Sequence, residues 1–159
     1  MGIRYYAYTF PAEATEAALD NPRSFIGSDP FADAWGMEPG ERCGHASGMQ
    51  RPPKEELLYL DKAWRDLQGL TRPRYPGEPR RPAYRMVEGD VAFTSTGWIP
   101  WVRALSPTWL PEIAADLAAL QREARRTVTD EYVLEYLQHA AAFTAHLASV
   151  GRGFVYLIG

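Results

Sequence analysis

Asp61, Lys62, Arg65 and Asp66 set two carboxylates and two cations beside Trp64 in one short segment, Leu57 to Gln68. A carboxylate next to a cation and an indole is material for general acid–base chemistry or for a polar ligand site. The spacing also has a simpler reading. At 100° per residue Leu57, Leu60, Trp64 and Leu67 fall on one stripe, which predicts an amphipathic helix over about 54–69. Asp61 then lies one turn before Arg65, and Lys62 one turn before Asp66, as (i, i+4) pairs. Solvated charge is the default on such a helix, so this reading is preferred to a catalytic Asp61.

Other chemistry-bearing groups are sparser. Cys43 and His45 offer two soft ligands where a structural zinc site usually takes four, so no metal is expected. Gly44-His45-Ala46-Ser47-Gly48 places its Ser one position late for a nucleophile elbow. His139 and His146 stand roughly 10 Å apart along a helix rising 1.5 Å per residue, too far for a shared ligand or a proton relay. Glu88 and Asp90 flank Gly89 as an acid pair, and carboxylates in a turn read as solvent-facing. There is no phosphate loop, dinucleotide fingerprint or His-Glu-x-x-His, and no cofactor is expected.

Arg72 to Arg85 is the one basic cluster, with five Arg, one Glu and Pro73, Pro76, Pro79 and Pro82. A nucleic-acid arm needs stacking partners, and only Tyr75 and Tyr84 are interleaved. With a net charge of −3 and a pI near 5.6, neither nucleic acid nor membrane is an expected partner. A solvated Pro/Arg loop is preferred. Trp35, Trp64, Trp98, Trp101 and Trp109 read as core before site, since buried Trp is common. Trp98-Ile99-Pro100-Trp101 is the best interface candidate among them.

The elements follow from pattern. Residues 3–10, aromatic and β-branched, predict a strand ending at Pro11. A short helix over Ala12 to Leu19 is stopped by Asp20-Asn21-Pro22. Residues 21–53 predict a loop layer with one helical turn near Phe31 to Trp35. Residues 84–94 predict a short strand on each side of the Glu88-Gly89-Asp90 turn, and Gly97 to Leu105 a buried turn or short helix. Ser106-Pro107 caps a helix with the stripe Leu110, Ile113, Leu117, Leu120 and Ala124. A second helix from about Thr129 carries Tyr132, Tyr136, Ala140, Phe143 and Leu147, and stops at Gly151. Phe154 to Ile158 closes the chain as a buried strand.

The predicted class is α+β: a small sheet holding the N- and C-terminal strands, packed with several amphipathic helices. The 159 residues suit one domain with a real core. A single Cys excludes an intrachain disulfide and fits a reducing compartment. With no apolar span and no signal-like leader, the expected location is the cytoplasm.

Three stretches carry a family resemblance: the opening Met1-Gly2-Ile3-Arg4-Tyr5-Tyr6, the segment Leu60-Asp61-Lys62-Ala63-Trp64-Arg65-Asp66-Leu67, and the closing Gly153-Phe154-Val155-Tyr156-Leu157-Ile158-Gly159. On these the chain resembles the YfbM-like family, a bacterial domain of unknown function with a Leu/Ile-Asp-Lys-x-Trp helix. The resemblance implies one α+β domain over 1–159. It carries no activity and assigns no catalytic residue. If the family shares a site, Asp61, Lys62 and Trp64 belong to it.

The function expected from all this is a non-enzymatic protein-interaction or binding module. The alternative is a small-molecule-binding enzyme, such as a hydrolase, with a pocket near Asp61 and Trp64. Tyr5, Asp61, Lys62, Trp64, Trp98 and Trp101 are the candidate binding residues.

Overall fold

A computed structural model describes residues 2–39 and 54–159. Its centre is a four-stranded antiparallel sheet in the order β2-β1-β6-β5, formed by β1 (Tyr5–Phe10), β2 (Leu57–Asp61), β5 (Trp101–Leu105) and β6 (Gly153–Ile158). The two chain ends are therefore neighbours, with Tyr5 paired to Ile158 and Phe10 to Gly153. The α+β prediction, including both terminal strands, is borne out.

Every residue of β6 is buried, because both faces of the sheet are covered. Alternation along the strands sends Phe154 and Tyr156 to one face and Val155 and Leu157 to the other. On the first face Phe154 meets Phe143 edge-on, and Tyr156 stacks on Tyr5. That face is covered by an α-hairpin of α4 (Leu110–Thr127) and α5 (Glu131–Val150). On the second face Phe10, Ala104 and Val155 pack with Ala18 of the short helix α1 (Thr15–Asp20) and with Phe25.

The predicted helix stripes are the ones that pack. Leu110, Ile113, Leu117, Leu120 and Ala124 are all buried on α4. Ser106 caps the turn that leads into it, accepting from the Thr108 N–H. Helix α5 begins after Asp130, whose carboxylate accepts from the Tyr132 N–H, and ends at Gly151 in the left-handed region (φ 68°). Of its predicted stripe, Tyr136, Ala140, Phe143 and Leu147 are buried, while Tyr132 reaches outward. The predicted turn near Phe31 is α2 (Pro30–Asp33), held by an Asp29 cap.

Three predictions need correction. The helix expected over 54–69 is a strand followed by a helix, β2 and then α3 (Trp64–Thr71). Leu57, Leu58, Tyr59 and Leu60 are all buried, and a surface helix cannot bury four consecutive residues. The stripe Leu57, Leu60, Trp64 and Leu67 is real as a list of core residues, but it spans two elements. Second, residues 82–86 form a 3-10 turn instead of a strand, in keeping with Pro82 at its first position. Third, Gly97 to Leu105 is extended: β4 (Gly97–Ile99) pairs with β3 (Ala92–Thr94) as a separate two-stranded ribbon, and β5 follows after Pro100.

Gln68 of α3 fixes the segment between these parts. Its amide donates to the carbonyls of Val87 and Gly89, both at 2.8 Å. Gln68→Ala removes the donors to two carbonyls at once, for an expected loss of about 1–2 kcal/mol in chemical denaturation. A loss within error would mean that water replaces the amide.

Candidate functional site

Asp61 ends β2 at a bulge, where the register slips between Tyr5 and Tyr6. It has a positive φ of 45°, the only one outside glycine among the described residues. Asp tolerates that region better than most side chains, and a bulge re-aims the residue it displaces. Here the carboxylate is turned into a nest of donors. Arg4 Nε donates to Oδ1 at 2.9 Å, Tyr59 Oη to Oδ1 at 3.0 Å, and Tyr132 Oη to Oδ2 at 2.8 Å. The Tyr132 hydroxyl in turn accepts from the Lys62 N–H at 3.3 Å. Arg4 also lies over the Phe31 ring, 5.2 Å from its centroid.

Burial alone would raise the pKa of Asp61, but hydrogen bonds from Tyr132, Tyr59 and Arg4 outweigh it and hold the group below the usual carboxylate range. Tyr132 is pushed up to about 12, first by burial and then by its bond to Asp61. An ionised carboxylate with three strong donors ties β2 and α5 to Arg4, the residue before β1. It is poorly placed to accept a proton near neutral pH. The surface pairs expected for it are absent: Asp61 binds Arg4, and Arg65 reaches Asp90 at 3.8 Å.

The six candidate binding residues are not gathered into one pocket. Asp61, Tyr5, Ile158 and Trp101 do form a single row across the sheet, each paired with the next. Three strand spacings separate the ends of that row, roughly 14 Å at 4.7–4.9 Å each. Tyr5 is fully buried against Tyr156, with rings 5.3 Å apart. Trp64 is core, and the Lys62 side chain passes over Gly2. Trp101 lies on the opposite edge strand of the sheet from Asp61, and Trp98 in the separate β3–β4 ribbon.

The expectation that Trp belongs to the core holds for Trp64 alone; Trp35, Trp98, Trp101 and Trp109 are all exposed. Trp109 is capped by the Arg85 guanidinium, 3.7 Å from its ring centroid, and Trp35 meets Phe31 edge-on. The ribbon is different. Phe93 is 72% exposed, Ile99 60% and Trp98 38%, and every residue of β3 and β4 is exposed. Because Trp101 is level with Ile158 and Pro100 touches Gly159, the ribbon overhangs the end of β6.

The basic segment is largely neutralised within the fold. Arg74 pairs with Glu78, Arg80 with Glu88, and Arg81 with Asp116 and Glu123. Glu88, expected to face solvent, is mostly buried and also binds Arg103 at 2.5 Å.

A cavity of about 240 Å³ lies beside β2 and α5. Leu57, Leu58 and Phe143 give it an apolar floor, and His139, His146 and Glu55 its polar lining. Tyr59 also lines it while its hydroxyl holds Asp61. The two His thus share one cavity, which their seven-residue spacing did not suggest. Cys43, His45 and the Gly44–Gly48 stretch lie outside the described residues. Among the described residues no helix is long and apolar enough to cross a membrane.

Sequence reasoning missed Phe93, Arg4, Tyr59 and Tyr132. The signal for Phe93 was the absence of any charge from Val91 to Val102. Arg4, Tyr59 and Tyr132 meet Asp61 only through tertiary pairing, which no local spacing records. No protein-family model matches the chain, and no curated protein or solved structure is significantly similar to it.

Proposed function

We propose that the chain is a protein-interaction module of YfbM-like type whose contact surface is the β3–β4 ribbon. One observation carries this reading: Phe93 and its cross-strand partner Trp98 stand exposed on one face of an uncharged two-stranded ribbon outside the main sheet, with Ile99 exposed on the other. Exposed apolar clusters of this kind mark interaction sites, and aromatic residues dominate the energetics of such contacts. The Arg4–Asp61–Tyr59–Tyr132 cluster serves as structure in this account. The resemblance rests on the three stretches named above; Tyr5 and Tyr6 of the first pair with Ile158 and Leu157 of the last.

The test is capture of interacting protein by the tagged chain, set against Phe93→Ser and Trp98→Ser. Stoichiometric capture that falls at least about tenfold in both variants is the expected result, since truncating a central aromatic commonly removes 2 kcal/mol or more. Equal capture by all three chains would move the surface elsewhere. The cavity beside β2 favours a second reading, a site for a ligand smaller than those of the ~300–1,000 Å³ pockets typical of drug-sized molecules. A metabolite that co-purifies and is lost on Phe143→Trp would put that reading first.

A further inference from the structure

We infer that the partner of the ribbon is a second copy of this chain, paired edge to edge through β3 about a two-fold axis. The inference rests on the interaction reading above and gives it an occupant.

Charge is the first argument. The run Val91 to Val102 contains no Asp, Glu, Lys or Arg, in a chain that is 23% charged. A heterologous partner is selected largely by complementary charge, and this surface offers none. It also carries no like charge to set against itself, which a self-complementary surface requires. Apolar, charge-depleted contacts are the mark of homodimers, and two-fold dimers are the commonest assemblies.

Backbone pairing is the second. Within the ribbon Ala92 pairs with Ile99, Phe93 with Trp98 and Thr94 with Gly97. Among the described residues neither strand of the ribbon pairs with a third. An isolated two-stranded ribbon is marginal in water, whereas three or more strands with an apolar face are stable. Exposed edges are normally blunted by Lys, Pro or an inward charge. β4 runs into Pro100, which has no N–H to give. β3 has neither Pro nor charge, so it provides the free edge. Two β3 strands crossing antiparallel at Phe93 would make one four-stranded sheet and bring the two Phe93 rings together.

Sedimentation equilibrium of the full chain from low- to high-micromolar concentration tests this directly. The expected mass is that of two chains. Phe93→Asp and Phe93→Lys should each raise the dissociation constant at least about a hundredfold, because a two-fold contact feels each substitution twice. The ribbon lies outside the core, so both variants should keep the wild-type far-ultraviolet spectrum. Mixing the two should restore a dimer, with Asp and Lys now facing each other across the axis.

A wild-type chain that stays monomeric at high micromolar concentration overturns the inference. If that monomer still captures another protein through Phe93 and Trp98, the interaction reading survives without the dimer. If it captures nothing, both fall. A dimer that persists in both Phe93 variants places the two-fold contact elsewhere and also overturns the inference.

Discussion

Asp61→Ala is expected to lower the unfolding free energy by about 2–4 kcal/mol, seen as a lower urea midpoint at unchanged slope. The substitution leaves Arg4 as a half-buried cation and strips the acceptor from Tyr59 and Tyr132 together. Losing one partner of such a cluster does more harm than replacing the whole cluster with apolar groups. Alanine also inherits a φ of 45°, where a Cβ without local hydrogen bonding is disfavoured by about 1 kcal/mol or more. Asp61→Asn keeps the left-handed preference and one acceptor, so it should lose less.

The acid limb supplies a second readout. The folded pKa of Asp61 lies below its unfolded value, so its contribution is complete above the ordinary carboxylate range near 4 and is lost as pH falls through the folded value. The stability gap between wild type and Asp61→Asn should therefore close as pH drops below about 4. A gap that stays constant would show that the charge of Asp61 contributes nothing. Association through the ribbon, at the far sheet edge, should be untouched in folded Asp61→Asn. A loss of association at full stability would return Asp61 to the candidate site.

Elements with a single unambiguous period were legible in the sequence. The stripes of α4 and α5, the Ser106 start, the Gly151 stop and the two terminal strands each follow from one local rule. The Leu57–Gln68 segment failed because two buried elements in succession imitate one helical stripe. The decisive sign was four apolar residues in a row with no polar residue between them, which fits a strand buried on both faces. The tryptophans failed because residue type alone was taken to decide burial. Trp101 sits at the start of the edge strand β5 and Trp98 in the separate ribbon, while Trp35 lies in the turn after α2 and Trp109 in the 3-10 turn before α4, placements that residue type does not record. The Asp61 nest was half legible: the residue stood out, but its three donors come from positions 4, 59 and 132. Only the folded sheet and α5 bring them to one point.

Gly89→Ala should cost about 2–4 kcal/mol and dislodge the root of the ribbon, for reasons that can be separated by experiment. Gly89 has a φ of 105°, which L side chains rarely adopt, and a Cβ there would lie 2.3 Å from Trp101 Cε2. The backbone cannot move aside easily. Gln68 holds the carbonyl of Gly89, and the Tyr156 hydroxyl donates to the carbonyls of Glu88 and Arg85 at 2.8 and 3.1 Å. Trp101 must therefore give way, and with it the turn at Pro100 that carries β4 out of the sheet. Indole quenching by acrylamide should rise along with the loss of stability. A double-mutant cycle divides the causes: in a Trp101→Ala background the clash is gone and only the dihedral strain remains, so Gly89→Ala should cost at least about 1 kcal/mol less. Strict additivity would instead mean that the indole and the glycine do not share the space described. The ribbon would then owe its position to its own turn and not to the seating of Trp101.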